Sequence, residues 1–134
     1  MSDTLKEGLT ATRRVDIDAG RTISFMGDEC RVYATPNLLY DVEWACRDLI
    51  KEHVGADKDS VGTRVELDHM GATLLGMWVE ISVTITKVEG PAVNFEFTAR
   101  DAVEQVARGK HNRFVVGVEK TAQRLLAKRA KAGA

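Results

Sequence analysis

Leu38-Leu39-Tyr40-Asp41-Val42-Glu43-Trp44-Ala45-Cys46-Arg47-Asp48-Leu49-Ile50 is the stretch on which the fold turns. Leu39, Val42, Cys46, Leu49 and Ile50 recur three or four positions apart, the period of a helix with one apolar stripe. Thr35 before Pro36 reads as an N-cap with proline in the first turn, and Gly55 as a stop. The spacing therefore predicts one long helix from Pro36 to about His53. Glu43 lies beside the stripe, where a carboxylate needs a charge or a hydrogen-bond partner. On position alone it reads as an ordinary residue at the edge of a surface helix.

Outward from that helix the period changes to two. Upstream, Thr10–Ile17 alternates as an edge strand, and Arg21–Met26 alternates again with Ile23 and Phe25 on one face, closing at Gly27-Asp28. Downstream, Gly62–Thr73, Trp78–Glu89, Val93–Arg100 and Glu104–Val118 follow as four strands, with Gly90-Pro91 an evident turn. The tail from Thr121 to Ala134, with Arg124, Lys128, Arg129 and Lys131 among alanines and leucines, reads as a helix fraying at Gly133. Alternation with one polar face implies an antiparallel sheet whose apolar side is covered. The 36–53 helix is the element that can lie across it, an α+β layer arrangement within one domain over residues 1–134. One helix leaves part of such a sheet bare, so pairing of two chains is expected.

Composition narrows the function classes. The chain has 134 residues, 44% of them hydrophobic, enough for a proper core. Nineteen basic against twenty acidic residues leave a net charge of −1, without a global field toward nucleic acid. There is no charged-then-apolar leader and no long apolar run, which points away from export and from a membrane. Cys30 and Cys46 lack metal or redox spacing, so no metal is expected, and reduced thiols in the cytoplasm are the default.

Three polar residues stand out. Thr35 opens the helix, Glu43 lies within it, and His69 is in the strand after it, followed by Gly71-Ala72-Thr73. Singly each has a plain explanation: a helix cap, a surface glutamate, a satisfied strand histidine. Thr35 and Glu43 are eight residues apart, about 12 Å along a helix, and do not touch within one chain. Together, a hydroxyl, a carboxylate and a histidine suit acyl transfer, which needs a nucleophile or activated water and a base poised near neutrality. Helix-start N–H groups suit a developing oxyanion; Pro36 removes one and leaves Asn37 and its neighbours.

The segment Ala34-Thr35-Pro36-Asn37-Leu38-Leu39-Tyr40-Asp41-Val42-Glu43-Trp44-Ala45-Cys46 resembles the helix start of hotdog-fold thioesterases of the fluoroacetyl-CoA type. There a threonine, a glutamate eight residues on and then Trp-Ala-Cys form a signature. The resemblance continues through Ser60-Val61-Gly62-Thr63, His69-Met70-Gly71-Ala72-Thr73, Val88-Glu89-Gly90 and Gly109-Lys110-His111-Asn112-Arg113, covering about residues 8 to 120. It implies a hotdog fold, an antiparallel sheet wrapped around one long central helix. It further implies hydrolysis of a small acyl-CoA thioester in a dimer, with Thr35, Glu43 and His69 as the triad positions. CoA is then part of the substrate and no separate cofactor is needed.

On the same footing Asn37, Gly62 and Gly71 are candidates for oxyanion or substrate contacts. Lys110, Arg113 and Lys120 are candidates for the CoA phosphates, although a solvated basic face explains most such residues. Two departures stand out. Met26–Tyr33 fills the place of a longer, aromatic-rich lid, and Pro36-Asn37 replaces a Gly-aromatic pair, which points to a different acyl preference. The competing readings are a hotdog module that binds acyl-CoA or an acyl carrier without cleaving it, and an enoyl hydratase on the same fold. Thiol release separates both from a thioesterase.

Overall fold

The structure is a computed structural model and describes residues 4–133; residues 1–3 and Ala134, the ends of the expected 1–134 domain, lie outside it. Its elements are β1 (Thr10–Asp16), α1 (Thr35–Lys51), β2 (Lys58–His69), β3 (Trp78–Glu89), β4 (Ala92–Arg100), β5 (Gln105–Gly117) and α2 (Val118–Ala132). The five strands make one antiparallel sheet in the order β1-β3-β4-β5-β2. α1 lies across its apolar face, as the helical period requires. Leu38, Val42, Ala45, Cys46, Leu49 and Ile50 from α1 join Val79, Ile81, Val83 and Ile85 of β3 and Val93, Phe95 and Phe97 of β4 in one buried cluster. Each such aliphatic side chain contributes about 1.5–3 kcal/mol by leaving water.

Several sequence expectations are corrected here. Arg21–Met26 is not a strand. A 3₁₀ turn at Ala19–Arg21 is capped by Asp18, and only an isolated bridge, Thr22 to Tyr33, follows it. The alternation there is overruled because Arg21 is pulled to Asp18 and Asp41. The downstream strands do not pair in sequence order. β2 crosses to the far edge beside β5, leaving β3 next to β1. Within α1 the stripe is rotated slightly: Leu38 is fully buried and Leu39 only half-buried. The tail helix starts at Val118, three residues earlier than expected, and ends at Gly133 in the left-handed conformation.

β2 is a twelve-residue edge strand paired, among the described residues, with β5 alone. The register slips between Gly62 and Arg64, so Thr63 is an extra residue in a bulge. The bulge puts Ser60 and Gly62, and then Val65, Leu67 and His69, on the inner face with Val115, Arg113, His111, Gly109 and Ala107 of β5.

Gly109 is needed where β4, β5 and β2 converge. A Cβ there would lie 1.9 Å from the Glu66 carbonyl oxygen and 2.6 Å from Phe97 Cζ. Backbone on one side and a buried ring on the other cannot both yield. Gly109→Ala is expected to cost roughly 3 kcal/mol, at the upper end of overpacking effects. That corresponds to a fall in Tm on the order of 10 °C, readable by thermal denaturation.

Candidate active site

The start of α1 faces the end of β2. Thr35 Oγ1 and His69 Nδ1 are 2.7 Å apart, a direct hydroxyl–imidazole hydrogen bond. The expected role of Thr35 as N-cap is therefore corrected: Ala34 holds the cap position with no side-chain cap bond, Thr35 lies inside the first turn, and its hydroxyl serves the histidine. Tyr33 meets the imidazole edge-on at 6.5 Å between ring centroids. Burial holds the imidazole below its ordinary value, against a smaller pull from the Gly71 backbone, so the ring is neutral and able to accept a proton at neutral pH. Ile23, Phe25, Val32, Met70 and Ala72 surround the pair in an open cleft of about 370 Å³. Phe25, in the loop between β1 and α1, is 82% exposed.

Glu43 is in a second cluster. Its side chain is 41% exposed and accepts a hydrogen bond from Arg113 Nη1 at 3.4 Å. It is thus neither wholly buried nor a free surface residue. Arg113 is 6% exposed. Its Nε donates to Ser60 Oγ (2.8 Å), its Nη2 to the Ser60 carbonyl (2.7 Å) and its Nη1 to His111 Nε2 (3.1 Å). Burial pulls the guanidinium below its ordinary value and the Glu43 carboxylate opposes that pull. Gly62 gives the carboxylate its room, since a Cβ there would lie 2.9 Å from Glu43 Oε2 and 3.1 Å from His111 Cε1. Nearby, burial pushes the Cys46 thiol up to about 12, which makes it an inert core residue.

The chain therefore carries two separate polar clusters. Thr35 and His69 meet; Glu43 meets Arg113 instead, about two helical turns along α1 from Thr35. Of the expected oxyanion donors, the Asn37 N–H is engaged by the Ala34 carbonyl (3.0 Å) and the Gly71 N–H by the Val106 carbonyl (3.2 Å). Gly71 instead gives close packing, as a Cβ there would meet Val106 at 3.1 Å. Gly62 stays beside Glu43 on the exposed edge strand. The residues expected to meet CoA phosphates are scattered. Lys110 is exposed on the outer face of the sheet, near Glu66 and Glu96, and Lys120 is on α2. Arg113 faces inward, buried and with its donors engaged by Ser60, His111 and Glu43 rather than free for a phosphate.

Asp41 and His111 were missed. Asp41 is buried and accepts from Tyr33 Oη (2.5 Å), Arg21 Nε (2.9 Å) and Arg21 Nη2 (3.2 Å). This cluster ties the segment between β1 and α1 to the helix. Burial and the Asp41 carboxylate together push the Tyr33 phenol up. A usable signal was the position of Asp41 three residues after Leu38, on the side of the helix that faces the core.

His69 and His111 both resist protonation because they are buried. Below the ordinary value of about 6.5 the unfolded chain binds protons that the folded chain does not, so stability rises with pH through that range and falls as pH drops. Denaturant midpoints at pH 7.5 and pH 5.5 are expected to differ, the lower pH being less stable. In a His69→Ala, His111→Gln double variant that part of the difference is lost.

The chain and its fold have known relatives. The fluoroacetyl-CoA thioesterase of Streptantibioticus cattleyicolor is 30% identical over 89 residues, a match spanning 66% of this chain and 64% of that protein's length. A solved structure of the fluoroacetyl-CoA thioesterase FlK superposes with a TM-score of 0.85 at 25% identity, covering 94% of this chain and 98% of that one. A hot-dog-like protein from Thermanaerovibrio acidaminovorans shares the fold, with a TM-score of 0.84 at 22% identity over 91% of each chain. The fold is therefore the hotdog fold. Residues 17–119 match the model of the fluoroacetyl-CoA-specific thioesterase family, and the chain belongs to that family.

Proposed function

We propose that the protein hydrolyses a small acyl-CoA thioester to the free acid and CoA. The observation that carries this reading is the 2.7 Å contact between the Thr35 hydroxyl and the His69 imidazole, the arrangement of a nucleophile and its base. The Thr35 oxygen attacks the thioester carbonyl, a C–O bond forms and the C–S bond breaks. His69 takes the hydroxyl proton and returns it to the departing CoA sulfur. Water then attacks the acyl ester, giving its proton to the carboxylate of Glu43, which passes it to the Thr35 oxygen as the acid leaves, so both groups return to their starting state.

In this reading Glu43 comes from a second copy. A long unpaired edge such as β2 is a ready template for pairing. Two β2 edges paired antiparallel would bring the Gly62 end of one strand beside the His69 end of the other, and the site is then composite. Gly62 lies against Glu43 Oε2, so this pairing carries the carboxylate of one chain to the Thr35–His69 pair of the other. Ile23, Phe25 and Val32 bound the acyl group, and the short lid leaves its outer end open.

A panel of acyl-CoAs assayed for thiol release, with solution mass measured alongside, tests this. Thiol release from short-chain members by a dimer is the expected result. Binding without release favours a non-catalytic module; consumption of an enoyl-CoA with no thiol favours a hydratase.

A further inference from the structure

We propose that His111 is a positioning residue for Glu43, acting through Arg113. The proposal rests on the thioesterase reading for the role of Glu43, but its geometry stands independently. A guanidinium donates and never accepts. The 3.1 Å contact between Arg113 Nη1 and His111 Nε2 therefore makes Nε2 an unprotonated acceptor. The proton is then on Nδ1, which donates to the Arg64 carbonyl at 2.8 Å. That carbonyl lies beside the β2 bulge, so the backbone irregularity that turns Gly62 inward also selects the tautomer of His111.

His111 in turn determines where Arg113 points. Ser60 holds the guanidinium by Nε and Nη2, along one side. The Nη1 nitrogen has two protons; His111 Nε2 takes one, and the geometry directs the other toward Glu43 Oε2. The groups facing His111 are Arg113 on its own strand, the Arg64 backbone and Gly62 of β2, and the Glu43 carboxylate of α1. An imidazole with a proton on Nε2 would present a donor to a donor and turn Arg113 away from Glu43. Position 111 thus needs an acceptor at the reach of Nε2, not merely a side chain of the right size.

Two variants separate that requirement from packing. Glutamine at 111 places an amide oxygen near the position of Nε2, whereas asparagine reaches only as far as Nδ1. H111Q is expected to keep kcat within about threefold of the parent, and H111N to lose at least tenfold in kcat with KM within twofold. The ¹³Cδ resonance of Glu43 is a readout that needs no turnover. It stays in place in H111Q and moves in H111N, and ¹⁵N spectra of the parent show His111 protonated on Nδ1.

Equal kcat in H111N and the parent, equal loss in both variants, an unmoved Glu43 resonance in H111N, or a proton on Nε2 each overturn the proposal. If the parent releases no thiol from any acyl-CoA while the resonances behave as stated, the thioesterase reading fails and the positioning of Glu43 by His111 stands.

Discussion

His69→Ala and Glu43→Gln are each expected to lower kcat about 10³-fold while leaving the solution mass and the circular dichroism spectrum unchanged. Losing a general base alone typically costs 10²–10⁴-fold. In His69→Ala the Thr35 hydroxyl loses its 2.7 Å partner and with it the acceptor for its proton. Structural damage is small, because His69 is half-buried at the end of β2 and its ring touches Tyr33 only edge-on. In Glu43→Gln the side chain keeps its shape and still accepts from Arg113, but it no longer takes a proton from water. Near-parental rates in either variant, by thiol-release kinetics on the best substrate, count against the assignment.

Asp41→Ala is expected to be the most destabilising single change, costing roughly 3–5 kcal/mol because it removes one partner from a buried, charged cluster. The Arg21 guanidinium loses a bidentate carboxylate, and the Tyr33 hydroxyl is left buried without its acceptor. Asp18 still holds Arg21 Nη1, so the loop does not detach completely. Tyr33 also packs against His69, so the loss extends to the site and a severalfold fall in kcat accompanies it. Urea denaturation gives the stability, and Asp41→Asn, which keeps the shape and one acceptor oxygen, should recover part of it. A loss below 1 kcal/mol for the alanine variant contradicts the role given to this cluster.

The helix was the most legible element because its signal is local. Leu38–Ile50 repeats at the helical period, although the helix ends at Lys51, short of the His53 and Gly55 that the sequence suggests. The long strands β3 and β4 were legible for the same reason, through alternation and the Gly90-Pro91 turn. Arg21–Met26 misled because its alternation is real while its backbone is governed by Arg21 reaching a carboxylate twenty residues later. The pairing order of the sheet is set by contacts far apart in sequence, so the edge position of β2 was not readable from any window.

Legibility in the site follows the same division. Thr35, Glu43 and His69 are candidates through a family resemblance, and Thr35 lies directly against His69. That Glu43 meets Arg113, seventy residues away, has no local signature, and a lone arginine between polar residues reads as surface charge. Asp41 was hidden because a charged residue in an amphipathic helix is assigned to the solvent face by default. Its burial becomes intelligible only once Tyr33 and Arg21 are known to surround it.

Subunit complementation tests the composite site most directly. His69→Ala and Glu43→Gln chains with different affinity tags are co-expressed, and the mixed dimer is isolated by two successive captures. Each parent variant alone is expected to keep only about a thousandth of the activity. In the mixed dimer one site joins the intact His69 of the Glu43→Gln chain to the intact Glu43 of the other chain, and the second site lacks both. The mixed dimer should therefore show about half the kcat of the unaltered dimer. A mixed dimer as inactive as its parents would contradict the account and place each Glu43 with the His69 of its own chain.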